Sequence, residues 1–468
     1  MSTVIQDRIG SISRNSVGEI DVRIFLQKNR KRVTTGKGDD DLSSFLRGFE
    51  VYESIASTCM ECRLILEDSA GVLQFLTGTE EWVINIKSSI IDRTYFFRSY
   101  QISSRVRTNQ NNEVFIIECV SDEYTRNEVL NVFGNSETVF KNKTEATQII
   151  KTLMSRKYIN SAKKLYLEET LNKQTFIAPN WRPFDLIYWM SQRSIRKSGK
   201  GRKLQNGFAF FENALGFHYK SIDTLIDLSN NQTAAATNPK TKLGDVKLYT
   251  YTYTPKAIGL GTGEGQFTID GLSFPQERNF LMGLRHGNYA GYSVGFDPTF
   301  ITRSRFGSST DLSADAHRYT LKDLWGRMSH VMGSGAKNPN NLIDEEVKNY
   351  VNQPKRVRYE MIPNQIFDPK FKNNPQRNYE QMVELQAYQW MRIESLKNVQ
   401  LVVNIPGNLD LYAGSGVNIV VPSNIKGQGG VKVDKKYSGR YIIGAVAHKS
   451  TGGSMVTELN LLKDSMQA

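Results

Sequence analysis

Hydrophobic and polar positions alternate with a period of two near both ends of the chain. Val51-Tyr52-Glu53-Ser54-Ile55, residues 61–66 and Trp82-Val83-Ile84-Asn85-Ile86 are short runs bounded by Gly, Asp and Ser, the pattern of strands. Residues 99–106 and 113–120 flank the polar stretch Thr108-Asn109-Gln110-Asn111-Asn112 and predict a β-hairpin. No helical period separates these runs, so residues 45–125 are expected to form a small antiparallel barrel or sandwich. Residues 1–44 are polar and weakly patterned, apart from the alternation over 20–26. They are expected to be a docking arm, or one partly ordered on the chain's own core.

A period near 3.6 then takes over. Residues 144–154 place Ala146, Ile149, Ile150 and Leu153 on one face, and 183–195 begin with Pro183 in the first turn, so 126–205 reads as a mixed α/β module. A hairpin is expected over 208–211 and 216–219, followed by an Asn-, Thr- and Ala-rich loop over 230–242. Residues 256–375, with a Gly-rich loop and the breaks Asn338-Pro339 and Asn374-Pro375, read as an inserted, irregular β-rich module. Residues 379–396 are an amphipathic helix with Tyr379, Met382, Val383, Trp390 and Ile393 on one side. Strands follow at 399–405, 417–421, 441–446 and 456–462. The fold class is α+β and β-rich, with one β unit at 45–125 and another split between 206–255 and 376–468.

The two units read as copies of one design. Gly78 leads into 82–86, and Gly414-Ser415-Gly416 leads into 417–421. Downstream lie hairpins of similar length, over 100–122 with its turn at 109–112 and over 441–464 with its turn at 450–454. Three such chains would present six equivalent barrels around one axis, and closing that ring would pair strand edges otherwise prone to aggregation.

Composition narrows the function classes. The chain has 468 residues, 60 basic and 47 acidic side chains, a formal net charge of +13, 39 % apolar and 23 % charged residues. These values exclude a disordered acidic chain, a collagen-like chain and a multispan membrane protein. No run approaches the ~18 apolar residues of a membrane span. The start MSTVIQDRIG lacks the basic and apolar regions of a signal peptide, so no export leader is expected. Cys59, Cys62 and Cys119 are too few for a disulfide framework, which fits a reducing compartment or indifference to redox. Basic residues gather at Lys28, Arg30, Lys31 and Arg32, close to Asp39, Asp40 and Asp41, and again at Arg193, Arg196, Lys197, Lys200, Arg202 and Lys203. Solvated loops or oligomer faces account for clusters of this size. A nucleic-acid-binding protein using these loops is the alternative.

Chemical motifs are weak. Gly259-Leu260-Gly261-Thr262-Gly263-Glu264-Gly265 is followed by the β-like Phe267-Thr268-Ile269, where a dinucleotide site needs a helix. Gly36-Lys37-Gly38 lacks Walker spacing. Cys59-Met60-Glu61-Cys62 has no second half-site, and His218, His286, His317, His330 and His448 are scattered. There is no G-x-S-x-G elbow, and Glu345 and Glu346 are adjacent on an expected surface helix, facing different ways. No catalytic, cofactor-binding or metal residue is assigned, and no enzyme is expected.

One resemblance remains. Helix 379–396, Gly407-Asn408-Leu409-Asp410-Leu411-Tyr412-Ala413-Gly414, strand 417–421 and Gly439-Arg440-Tyr441-Ile442-Ile443-Gly444-Ala445-Val446-Ala447-His448 resemble, in that order, the last tube domain of the central baseplate hub protein of T-even-type contractile-tailed phages. Residues 208–228 resemble the start of the same domain and 45–122 the first tube domain, while the long N-terminal segment and the 256–375 insertion depart from the family. The resemblance implies two tube-like β-barrels per chain and a homotrimer of pseudo-sixfold symmetry. It further implies a trimeric central spike protein on one side and the tail tube or a tube-initiator ring on the other. Baseplate wedge proteins would be neighbours, and the channel would pass tape measure protein and DNA. Any wall-degrading activity would sit on the separate spike chain. The location implied is the virion baseplate, after assembly in a host cytoplasm.

Overall fold

The computed structural model describes residues 18–28, 31–32, 41–69, 71–88, 91–109, 111–135, 138–197, 204–234, 246–253, 265–275, 280–296, 317–354, 356–361, 373–427, 430–451 and 453–466. The first unit contains β1 (Ile20–Lys28), β2 (Leu46–Ser54), β3 (Glu61–Asp68), β4 (Glu81–Ser88), β5 (Asp92–Asn109) and β6 (Asn112–Val120). All neighbours are antiparallel, in the order β1-β4-β5-β6-β3-β2. Alternate residues point inward. Phe49, Val51, Leu64, Leu66, Trp82, Ile84, Phe115 and Ile117 form the core, each buried side chain contributing about 1.5–3 kcal/mol. The sheet curls shut because Leu42, just ahead of β2, donates its N–H to the Ile24 carbonyl (2.9 Å), while Ile24 N–H donates to Ser43 Oγ (2.9 Å).

β1 lies in the stretch expected as a docking arm, yet it pairs with β4 from Ile20 to Gln27, and Ile24 is fully buried. Residues 18–28 are therefore part of the first barrel. The alternation at 20–26 is a strand's inward and outward parity, and the polar residues between β1 and β2 hid the connection.

A middle module follows, with α1 (Asp122–Val129), α2 (Ala146–Met154), α3 (Pro183–Ser191), the hairpin β7 (Phe208–Asn213) and β8 (Gly216–Ser221), and α4 (Ile222–Asn230). Its core joins Ile149, Ile150 and Leu153 to Phe184, Ile187 and Met190, and to Phe208, Phe210, Phe217 and Tyr219. The hairpin expected to open the second barrel thus belongs to this core, because its aromatic residues face α2 and α3.

The second barrel uses β9 (Thr250–Tyr253), β10 (Thr268–Ile269), β11 (Gly271–Ser273) and four strands near the C-terminus. Between them come α5 (Phe280–His286), β12 (Ala290–Phe296), β13 (His317–Thr320), α6 (Leu321–Trp325), α7 (Glu345–Val351) and β14 (Arg356–Met361). The inserted module is mixed rather than purely β in its described parts, with a three-stranded sheet ordered β13-β12-β14. After α8 (Pro375–Leu396) come β15 (Val399–Pro406), β16 (Gly416–Val420), β17 (Gly439–Thr451) and β18 (Ser454–Lys463). The path β10-β9-β16-β17-β18-β15-β11 closes on itself, since only Asp270 separates β10 from β11. Residues 268–273, expected in the insertion, are the staves that complete this barrel.

Of the expected stripe, α8 buries Val383, while Trp390 and Ile393 are only half-buried. Ala387, Tyr388, Met391, Arg392 and Ser395 are buried as well, so towards the C-terminus the buried face turns from the stripe to a polar network. Arg392 donates to Asp464 Oδ2 (2.8 Å) and to the Ser329 carbonyl (2.8 Å), and Tyr388 donates to Asp223 Oδ2 (2.6 Å).

Candidate assembly interface

The two barrels form one continuous sheet, and the residues at their joint are the functional candidates. β17 pairs first with β16, through Gly439–Ile442; at Gly444 its register slips, and Ala445–Thr451 then pair with β2 from Ser54 back to Gly48. Gly444 suits the bend, because a Cβ there would lie 2.8 Å from Leu462 Cδ1; its carbonyl accepts the Ile55 N–H (3.0 Å). The segment 407–414 forms the seam. Leu409 is buried in the first core and Leu411 in the second. Between them Asp410 accepts the hydroxyls of Tyr249 (2.7 Å) and Tyr412 (2.8 Å), and Arg93 of the first barrel covers the Tyr412 ring (5.2 Å to its centre).

Glu53 marks the point where three modules meet. It is 2 % exposed and accepts the N–H of Ala214 (2.9 Å) and of Ala413 (3.1 Å). Burial pushes its carboxyl up to about 7, against those two N–H groups. Glu212, fully buried, accepts from Ser121 Oγ (2.6 Å), Met60 N–H (3.1 Å) and Lys163 Nζ (2.5 Å). Burial raises Glu212 while Lys163 pulls it back, and Lys163 also holds Glu123 (2.7 Å). The two ion pairs knit the middle module together, and the Met60 bond ties it to the first barrel. The sequence reading missed them, although both glutamates occupy the inward parity of their strands, Glu53 with Phe49 and Val51, Glu212 with Phe208 and Phe210.

The residues singled out from sequence motifs do not converge. Cys62 and Cys119 are cross-strand partners, and all three cysteines are buried free thiols pushed up chiefly by burial. His218 is stacked between Tyr166 (4.7 Å) and Phe211 (4.9 Å), and His330 lies against Trp325 (3.9 Å) and bonds Asp464 (3.0 Å). His448 bonds Thr457 Oγ1 (3.0 Å), and burial holds His218 and His448 down at about 3. No group of metal-ligating side chains occurs among the described residues. Glu345 pairs with Lys348 (2.5 Å) at the start of α7. Of the second basic cluster, Arg193 is buried over Trp189 (4.0 Å), Arg196 pairs with Asp227 (2.7 Å) and Lys197 with Glu169 (2.5 Å). Lys200, Arg202 and Lys203 lie outside the described residues, as do Arg30, Gly36-Lys37-Gly38 and 259–264. No described helix is long and apolar enough to cross a membrane.

A β-rich chain of two barrels fused edge to edge, with helical modules between them, has the fold of a phage tail protein. The 43 kDa tail protein of prophage MuSo2 from Shewanella oneidensis shares it at 8 % identity, over 96 % of this chain and all of that one, with a TM-score of 0.50. A tail protein from Neisseria meningitidis aligns at 9 % identity over 95 % and 97 % of the two chains, TM-score 0.47. A type VI secretion system component of Escherichia coli aligns at 8 % identity over 89 % and 73 %, TM-score 0.37. No family model matches the sequence, and no curated protein does.

Proposed function

We propose that the protein is the structural baseplate hub of a contractile phage tail, a homotrimer of pseudo-sixfold symmetry that adapts the trimeric central spike to the hexameric tail tube. The supporting observation is the joint itself: two barrels stand edge to edge within one chain, and their antiparallel strands β4-β5-β6-β3 and β16-β17-β18-β15 follow the same order, although β9 runs parallel to its neighbours where β1 is antiparallel. Three copies supply six barrels, so a threefold assembly offers sixfold docking positions. The fold shared with a phage tail protein points the same way. The mechanism is geometric and assigns no reaction to this chain. Its partners are the spike, the first ring of tail tube and the wedge proteins around it, and its lumen passes tape measure protein and DNA. The +13 charge then faces acidic neighbours or the channel.

An obligate interface of this kind buries on the order of 2,000 Å² or more. Light scattering of the purified chain mixed with its spike is expected to show one stable trimer. A chain that stays monomeric in the presence of the spike overturns the reading.

A further inference from the structure

The two barrels leave one equivalent strand edge in different states. In each, a long strand outruns its neighbour and turns back into a hairpin, β5 into β6 and β17 into β18. A loop covers the first part of the outer edge in both. Gly414 N–H donates to the Ile443 carbonyl (2.8 Å) and Ile443 N–H to the Ser415 carbonyl (2.8 Å). In the first barrel Ser99 N–H donates to the Glu80 carbonyl (2.9 Å), and Gly78 lies against the backbone of Gln101 and Ile102. Gly78 and Gly414 even share a left-handed φ of +84°. Past the loops the edges diverge. Ala445–Thr451 are covered by β2, whereas residues 103–109, a stretch of equal length, have no backbone partner on that side among the described residues.

That bare edge contains neither proline nor lysine, and Val106 is 52 % exposed. Its charged residues, Arg105 and Arg107, are both engaged by Glu113, and bulges interrupt it at 102–104 and 107–109. The strand suited to it can be found by the same equivalence. β2 follows the turn that closes the first barrel, where Asp41 and Leu42 pair with β1, and then runs along β3. In the second barrel β10 closes against β9, and β11 then runs along β15. β11 therefore stands where β2 stands, and among the described residues it has a strand partner on one side only. Phe274, next along the chain, packs edge-on against Tyr437 (4.6 Å) and keeps 50 % of its surface exposed.

We propose that β11 and Phe274 of a second copy of this chain pair antiparallel with part of the 103–109 edge of β5, in the place where β2 covers the Ala445–Thr451 edge within the chain. This rests on the trimer proposed above and names the strands that make it. The contact is head-to-tail, with β11 of one copy on β5 of the next, so it is satisfied everywhere only in a closed ring. Main-chain hydrogen bonds supply the attraction, as in strand addition to any open sheet edge.

Hydrogen–deuterium exchange on the full chain, above and below its association concentration, tests this. Amides in 103–109 and 271–274 are expected to exchange at least about tenfold more slowly in the trimer, with Ala445–Thr451 slow in both states. Val106→Lys, at an exposed site, is expected to weaken association at least about tenfold, whereas Val129→Lys, at the exposed end of α1, leaves it unchanged. A trimer whose 103–109 and 271–274 amides exchange as in the monomer overturns the strand assignment and leaves the trimer reading standing. A Val106→Lys chain that assembles like the wild type does the same. A chain that never trimerises, even with its spike, overturns both.

Discussion

Glu53 combines a buried carboxyl with two backbone donors from distant parts of the chain, and its titration reports on the joint. Its carboxyl is raised from the ordinary 4.5 to about 7 by burial. Between those values the folded chain holds a proton that the unfolded chain has lost, so this group's contribution to stability falls as pH rises from about 4.5 to 7. His218 and His448 act with the opposite sign: held down at about 3, they remove stability as pH falls from about 6.5 toward 3. In Glu53→Gln the amide presents one oxygen where the carboxyl presents two, leaving one of the Ala214 and Ala413 N–H groups unpaired at a cost of about 1–3 kcal/mol. Urea unfolding at pH 5 and pH 8 should show Glu53→Gln less stable than the wild type at pH 5, with the gap narrowing at pH 8. Such buried charges are hard to read from sequence. Their inward parity is visible, but their partners lie from 49 positions away, for Lys163 and Glu212, to 360, for Glu53 and Ala413. Arg392 is the extreme case, fully buried on α8 at a position that hydropathy assigns to solvent.

At the scale of elements, regular alternation was the most legible signal. The β5–β6 and β17–β18 hairpins and α2 stand where the pattern put them, because each buries most of one face in the core nearest to it in sequence. Elements whose partner is remote were misplaced. β1 is separated from β2 by a polar stretch, β10 and β11 are too short to show a period, and the β7–β8 hairpin joins the core behind it. The left-handed glycines before β4 and β16 offer a comparison of two equivalent turns. An alanine at φ +84° costs roughly 1–2 kcal/mol at either site. At Gly78 the added Cβ would meet nothing closer than 3.5 Å, whereas at Gly414 it would lie 2.8 Å from Phe211 Cζ. Gly414→Ala is therefore expected to lower the urea midpoint more than Gly78→Ala; equal effects would mean that the ring moves aside freely.

At the scale of the molecule, the two barrels share a sheet and a seam, so they should unfold as one body. Leu409 belongs to the first core although it lies among the strands of the second, and Met455 does the same from the other side. Leu409→Ala should cost about 2–5 kcal/mol and shift the whole transition, whether followed by tryptophan fluorescence or by far-ultraviolet circular dichroism. Two separated transitions would show that the barrels melt independently. The duplication itself was legible in the sequence, as two Gly-led strands each followed by a hairpin. The joining of the copies through one strand was not, since β17 pairs locally in its first half and remotely in its second.

That joint also sets a timetable for synthesis. The bond between Ser54 and Gly444 spans 390 positions. A ribosome adding about 5–20 residues per second needs roughly 20–80 s to cover that distance. Throughout that interval the outer edge of β2 and the place of Met455 stand vacant on the emerging chain, and the place of Leu409 for most of it. The first barrel made is thus among the last parts finished, and a ribosome that stalls before β17 releases a chain with a raw sheet edge, open to pairing with its neighbours on the same message.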